Sequence, residues 1–157
     1  MKFIKVLLIF SIILLLFSCV AKKNLEWGWY HYDRGDACKG GKFFKKAALQ
    51  GDAEAIYMMA YVQEHGECHT KNLENALTLY TTAASKGYLK AQVKTGEIYY
   101  QGDWVKRDYK KAGYWYEKAA EQGDAYSQYV AGYMYVNGQG TKKNYIQGVK
   151  WLQLSVE

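Results

Sequence analysis

The chain has 157 residues, with 16 Tyr, 15 Gly and no Pro; half of it is hydrophobic, 23% is charged and the formal charge is +6. This composition excludes an extended disordered chain, which carries few aromatics and many charges, and a collagen, which needs Gly-X-Y and proline. The length suits one domain with a modest core.

Lys2 and Lys5 open the chain, and Val6 to Phe17 follows without a charge, a run of 12 residues. That is short of the ~20 residues a spanning helix needs and fits the apolar region of an export signal. The run ends Leu16-Phe17-Ser18-Cys19, which resembles a bacterial lipobox. The resemblance implies a lipoprotein signal peptide over residues 1–18, a diacylglycerol thioether on Cys19 with an acylated (palmitate-type) N-terminus, and a tether over 19–24. Ordinary cleavage after Ala21 and an uncleaved anchor are the other readings of this segment. Val20 after the cysteine is similar to the pattern that sorts lipoproteins to the outer membrane of enteric-type bacteria. The expected location is therefore the cell envelope, lipid-anchored and facing the periplasm. Cleavage before Cys19 would leave 139 residues with 19 basic and 15 acidic side chains, a charge of +4. No Lys/Arg run exceeds two residues, so no nucleic-acid partner is expected.

From residue 25 onward a 36-residue period organises the chain. Gly51, Gly87 and Gly123 share one phase, Gly66, Gly102 and Gly138 a second, and Asp36, Asn72, Asp108 and Asn144 a third. Gly40, Ala76, Ala112 and Gly148 share another, as do Phe44, Tyr80 and Tyr116. A fixed period of this length signals a repeat array. Asp or Asn before an amphipathic run is a helix N-cap, and glycine closes helices in the left-handed conformation. The spacing predicts an A helix over Leu25–Tyr32 and further A helices over 53–64, 89–100 and 125–136. It predicts B helices over 37–49, 72–85, 108–121 and 144–156. Small residues at Ala60, Gly96 and Gly132, and at Gly40, Ala76, Ala112 and Gly148, let neighbouring helices approach closely.

The stretch Ala91-Gln92 … Gly96-Glu97-Ile98-Tyr99 … Gly102 … Asp108-Tyr109-Lys110-Lys111-Ala112 … Trp115-Tyr116-Glu117-Lys118-Ala119-Ala120-Glu121-Gln122-Gly123 resembles a Sel1-like repeat. Gly51-Asp52-Ala53-Glu54-Ala55 and Gly123-Asp124-Ala125 match the start of the same repeat. The resemblance implies an all-α fold, an αα-hairpin repeat solenoid of the Sel1-like and tetratricopeptide-like right-handed superhelical class. Residues 25–157 would form three repeats, over 52–87, 88–123 and 124–157, behind an N-terminal capping hairpin over 25–51. Thr95 stands where the family usually has leucine. The chain ends on a B helix without a further cap, so that helix is expected to need a polar face, a partner or an extension.

No His-Glu-x-x-His, Gly-x-Ser-x-Gly, phosphate-binding glycine-lysine loop or Cys-x-x-Cys occurs, and no catalytic residue or cofactor is expected. His65-Gly66-Glu67-Cys68-His69 is the unusual constellation. Cys38 starts one B helix and Cys68 lies just beyond the next A helix, ends that meet in an antiparallel stack. Export favours oxidation, so a Cys38–Cys68 disulfide is expected; unpaired thiols and a metal site built with the histidines are the alternatives.

Tyrosine placement is the remaining signal. Tyr57, Tyr61 and His65 lie at i, i+4 and i+8 of one A helix; Val93, Glu97 and Gln101 hold the same places in the next, and Tyr129, Tyr133 and Asn137 in the third. A column this variable does not read as shared packing. The resemblance implies that stacked A helices line a concave face, which makes Tyr57, Tyr61, Glu97, Tyr129 and Tyr133, bordered by Met58 and Lys94, the candidate partner-binding residues. The expected function is a non-enzymatic envelope lipoprotein that binds a protein or peptide; some small exported Sel1-like lipoproteins serve as immunity partners of secreted toxins. The alternative is a hydrolase acting on cell wall or β-lactams, of the cysteine-rich Sel1-like type, although the regular cysteine pairs of those relatives are missing here.

Overall fold

The structure is a computed structural model that describes residues 2–68 and 70–156, with side chains described at Leu16 and from Ser18 onward. Among the described residues it consists of eight α-helices and no strands: α1 (Lys2–Tyr32), α2 (Ala37–Leu49), α3 (Ala53–His65), α4 (Leu73–Ser85), α5 (Leu89–Gln101), α6 (Tyr109–Glu121), α7 (Ala125–Asn137) and α8 (Tyr145–Leu154). From α2 onward the helices match the expected spans to within about two residues at each end, the scatter of any boundary assignment. The chain forms two compact units, one reaching Asn72 and the other starting at Leu73.

Local chemistry sets the boundaries. The carboxylates of Asp36, Asp52, Asp108 and Asp124 and the amide oxygen of Asn144 accept from the backbone N–H groups of Lys39, Ala55, Lys111, Ser127 and Gln147. Each cap satisfies a donor that the first helical turn leaves unpaired. Gly66, Gly102 and Gly138 close α3, α5 and α7 in the left-handed region, at φ 71°, 80° and 70°. An L side chain in that conformation crowds the following carbonyl, so glycine is the residue that stops the helix without strain.

The first helix departs from expectation. Residues 19–24, read as a tether, are helical and continuous with the A helix at Leu25–Tyr32. Ala21 is buried, and Asn24 Nδ2 donates to Gln50 Oε1 at 3.3 Å, so this stretch packs with the first hairpin. Among the described residues no helix is long and apolar enough to cross a membrane.

In the first unit, Phe44, Ala47, Ala55 and Met58 form the core, with Leu25, Trp29 and Tyr32 against them. Helices α1 and α2 touch at glycines: a Cβ on Gly40 would lie 2.8 Å from the Gly28 carbonyl oxygen. In the second unit, Ala112, Tyr116, Val130 and Met134 form a core, and Tyr80 is enclosed near Trp104, ring centroids 6.3 Å apart. The aromatic column Phe44, Tyr80 and Tyr116 is 0%, 0% and 1% exposed, which makes it the packing column of the period. At the last hairpin, α7 and α8 meet at Gly132 and Gly148, each opposite the other's carbonyl oxygen.

Buried glutamines join successive hairpins of the second unit. Gln92 Nε2 donates to the Ala84 carbonyl at 3.2 Å, and Gln128 Nε2, 36 residues later, donates to the Ala120 carbonyl at 3.3 Å. Both acceptors lie in the last turn of a B helix, where each carbonyl also accepts the N–H of the following glycine, Gly87 or Gly123, at 2.9 Å. Gln122 Nε2 donates to Gln92 Oε1 at 2.7 Å and to the Gly87 carbonyl at 3.1 Å, which completes the clamp.

Candidate partner-binding face

Tyr126, Tyr129 and Tyr133 occupy i, i+3 and i+7 of α7, the spacing that places side chains on one helix face. They are 50%, 53% and 43% exposed, while Ser127, Val130, Ala131 and Met134 are buried on the other side. Three large rings on the solvent side of a helix whose inner side is already filled are available for contact.

The stripe rests on a ring cluster. Tyr116 of α6 is the floor. Tyr126 meets it edge-on at 6.1 Å, Tyr100 of α5 meets it at 6.2 Å, and Tyr109 meets Tyr100 at 5.3 Å. Tyr100 Oη lies 3.4 Å from Gln139 Oε1. Burial, reinforced by the hydrogen bond with Tyr126 and the charge of half-buried Glu97, raises the Tyr116 hydroxyl well above the usual phenol range. Burial, with Tyr109 and Tyr133 nearby, also raises that of Tyr100. Both phenols stay neutral at physiological pH, so the face offers hydroxyl donors and acceptors, one carboxylate and aromatic area. Tyrosine combines large contact area with few rotors and a polar tip, the character of interface anchors.

The other expected binding residues divide by burial. Glu97 borders the cluster, as the charge that acts on Tyr116. Lys94 holds its Nζ 5.4 Å from the Trp104 ring, a cation–π contact with the turn that follows α5. In the first unit Tyr57 and Tyr61 are half-buried against the core. Tyr61 stacks on His65 at 4.0 Å and meets Tyr32 edge-on at 6.3 Å, while Tyr32 Oη donates to Glu67 at 3.2 Å. Met58 is not a surface residue. It is 4% exposed, because its place beside Tyr57 turns it about 100° around α3 and onto the Phe44 core. Tyr126 and Tyr100 were not expected. Comparison across the period hides Tyr126, whose counterparts are Glu54 and Lys90; its spacing from Tyr129 within one helix would have exposed it.

Cys38 and Cys68 are joined, with Cα atoms 5.2 Å apart, and the bond fastens the start of α2 to the turn after α3. His69 lies outside the described residues. His65 Nδ1 donates to the Tyr61 carbonyl at 2.9 Å. Among the described residues no group of three or more His, Cys, Asp and Glu side chains is placed to hold a metal ion. A small concavity of about 250 Å³ lies between α6 and α7, lined by Lys110, Gly113, Tyr114, Glu117, Met134 and Tyr135. There a hydrogen bond to Glu117, with burial, pushes the Tyr135 hydroxyl up to about 12.

These features define a helical-hairpin repeat protein with an exposed aromatic face. The Sel1 repeat matches residues 25–52, 53–88, 89–124 and 125–157, and the chain belongs to the Sel1 repeat family. The first match covers the hairpin expected as the capping unit, and the other three cover the expected repeats. The chain is similar to a Sel1 repeat protein from Oxalobacter formigenes, with 31% identity and a TM-score of 0.78 over 86% of this chain and 57% of that one. It is also similar to a protective antigen present in uropathogenic Escherichia coli strains that displays an SLR fold, with 31% identity and a TM-score of 0.76 over 87% of this chain and 30% of that one. A sel1-like repeat-containing protein of Acanthamoeba polyphaga mimivirus is 31% identical over 88 residues, 56% of this chain and 16% of its own length. The chain therefore spans 16–57% of these relatives.

Proposed function

We propose that this chain is a non-enzymatic envelope lipoprotein whose Sel1 repeats bind a protein or peptide partner, and that Glu97, Tyr126, Tyr129 and Tyr133 form the contact. Sel1 repeats are typically protein-interaction scaffolds, and the family assignment supports a protein partner. The observation that carries the reading is the tyrosine stripe of α7, whose rings are 43–53% exposed. Anchoring rests on the sequence: a basic start, an uncharged run and Leu16-Phe17-Ser18-Cys19, with Cys19 exposed. The reading places the chain on the outer membrane, facing the periplasm.

Replacing Tyr126, Tyr129 and Tyr133 with Ser is expected to abolish cross-linking to a specific envelope protein while the helical spectrum stays intact. Undiminished cross-linking would remove α7 as the contact. Incorporation of labelled palmitate that disappears in Cys19→Ser tests the anchor separately.

A further inference from the structure

The positive charge of the chain is concentrated at one end. Residues 1–49 hold 9 basic and 3 acidic side chains, the whole net charge of +6, whereas residues 50–157 hold 12 of each. Helix α2 carries Lys39, Lys42, Lys45 and Lys46 and no acidic residue, and all four lysines are exposed.

Aromatic rings are interleaved with these cations. The last turns of α1 expose Trp27 (44%) and Tyr30 (48%). Phe43 of α2 stacks on Trp27 at 6.1 Å and on His31 at 5.5 Å. Lys46 Nζ lies 5.2 Å above Phe43, and the Arg34 guanidinium lies 4.9 Å above Tyr30. Lys39, Lys42, Phe43 and Lys46 line a concavity of about 540 Å³ with Cys38 and Asp36. The acidic residues of the segment are Glu26, Asp33 and Asp36, and Asp36 Oδ1 is already engaged by the Lys39 N–H at 2.9 Å. Earlier in α1, Lys22 and Lys23 are exposed, and the uncharged run from Val6 to Phe17 lies ahead of them in the same helix. At 1.5 Å per residue, Trp27 follows Phe17 by about 15 Å along the axis.

We propose that this basic and aromatic face, formed by Trp27, Tyr30, Phe43, Lys39, Lys42 and Lys46, lies on an anionic phospholipid surface. Amphipathic rings settle at headgroup depth, and lysines near a membrane are attracted by acidic headgroups. The same residue types also suit single-stranded nucleic acid. The membrane attachment directly upstream in α1 favours the lipid, whether that is the uncharged run of the full chain or, after cleavage, the acyl chains on Cys19. This inference goes beyond the partner-binding reading and does not require acylation of Cys19.

The test uses the full chain reconstituted into vesicles of phosphatidylcholine alone or mixed with phosphatidylglycerol, with amine labelling read at each lysine by mass spectrometry. Labelling of Lys39, Lys42 and Lys46 is expected to fall several-fold in the anionic vesicles only. It should recover at about 1 M salt, where the screening length is about 3 Å. Each lysine near the surface changes partition about fivefold, so K39Q/K42Q/K46Q should weaken the preference for anionic lipid about a hundredfold, read by quenching of Trp27 with brominated lipid. The footprint of the unsubstituted chain decides the matter even if that variant folds poorly. Equal labelling in neutral and anionic vesicles would overturn the proposal. So would an oligonucleotide that protects the same lysines at lower concentration than the vesicles. Co-flotation with neutral vesicles reports on the anchor alone, so the two readings fail separately.

Discussion

Breaking the Cys38–Cys68 bond is expected to cost this fold about 4 kcal/mol, by the loop-entropy relation for a cross-linked ring of about 30 residues. The ring follows from the sequence separation of 30 between the two cysteines. It encloses most of α2 and all of α3, so in the unfolded chain the bond restrains two helices of the first hairpins. Cys68 is the sole non-glycine residue with positive φ among the described residues, at 72°. An L residue there carries about 1–2 kcal/mol of strain, which serine would inherit without the cross-link that holds it. The assay is urea unfolding of Cys38→Ser/Cys68→Ser against the unsubstituted chain, with thiols counted in both. With a denaturant slope of about 2 kcal/mol per molar, the midpoint should fall by about 2 M. Amide exchange should rise in α2 and α3, the helices that the bond fastens. Coincident midpoints in samples that each show a single free thiol, that of Cys19, would refute the reasoning.

Gln92→Ala should destabilise by about 1 kcal/mol in the same urea assay, because it removes its hydrogen bonds to the Ala84 carbonyl and from Gln122, while the Ala84 carbonyl keeps the Gly87 N–H and Gln122 keeps the Gly87 carbonyl. Thr95→Val is expected to stabilise by about 1 kcal/mol, since Thr95 is fully buried and its Oγ1 has no hydrogen-bond partner among the described residues. Tyr135 contributes an alkaline limit. Its folded pKa of about 12 exceeds the ordinary 10.0, so its stabilisation is complete below about pH 10 and is lost as pH rises through about 12. Glu117→Gln should bring that phenol back toward 10.0, read from phenolate absorbance.

Much of the scaffold was legible because the period repeats simple local chemistry. Asp36, Asp108 and Asn144 cap helices as their spacing implied, and Gly66, Gly102 and Gly138 end them. Phe44, Tyr80 and Tyr116 are the core column because any repeat must bury something at a fixed phase. The residues that escaped notice depend on contacts between helices or within one helix. Gln92 and Gln128 look like solvated polar side chains until the carbonyls of Ala84 and Ala120 are placed beside them. Met58 shares its neighbourhood in sequence with exposed positions but faces the Phe44 core. Lys94 is drawn over Trp104, a residue of the turn that follows its helix. Tyr126 was hidden by reading across repeats instead of along α7. The chain from Cys19 to Asn24 read as tether because its lysines and its position after an apolar run obscured a helix continuous with α1.

The central claim is that the tyrosine face of α7 binds a protein partner. The most direct measurement installs a photo-cross-linking residue at position 129, the most exposed of the three tyrosines, and at position 147 on α8 as a control, in cells that produce the chain. A discrete adduct from position 129 that is lost when Tyr126 and Tyr133 are changed to Ser, with no such adduct from position 147, is the predicted result. The same adducts from both positions, or an adduct unaffected by those substitutions, would contradict it.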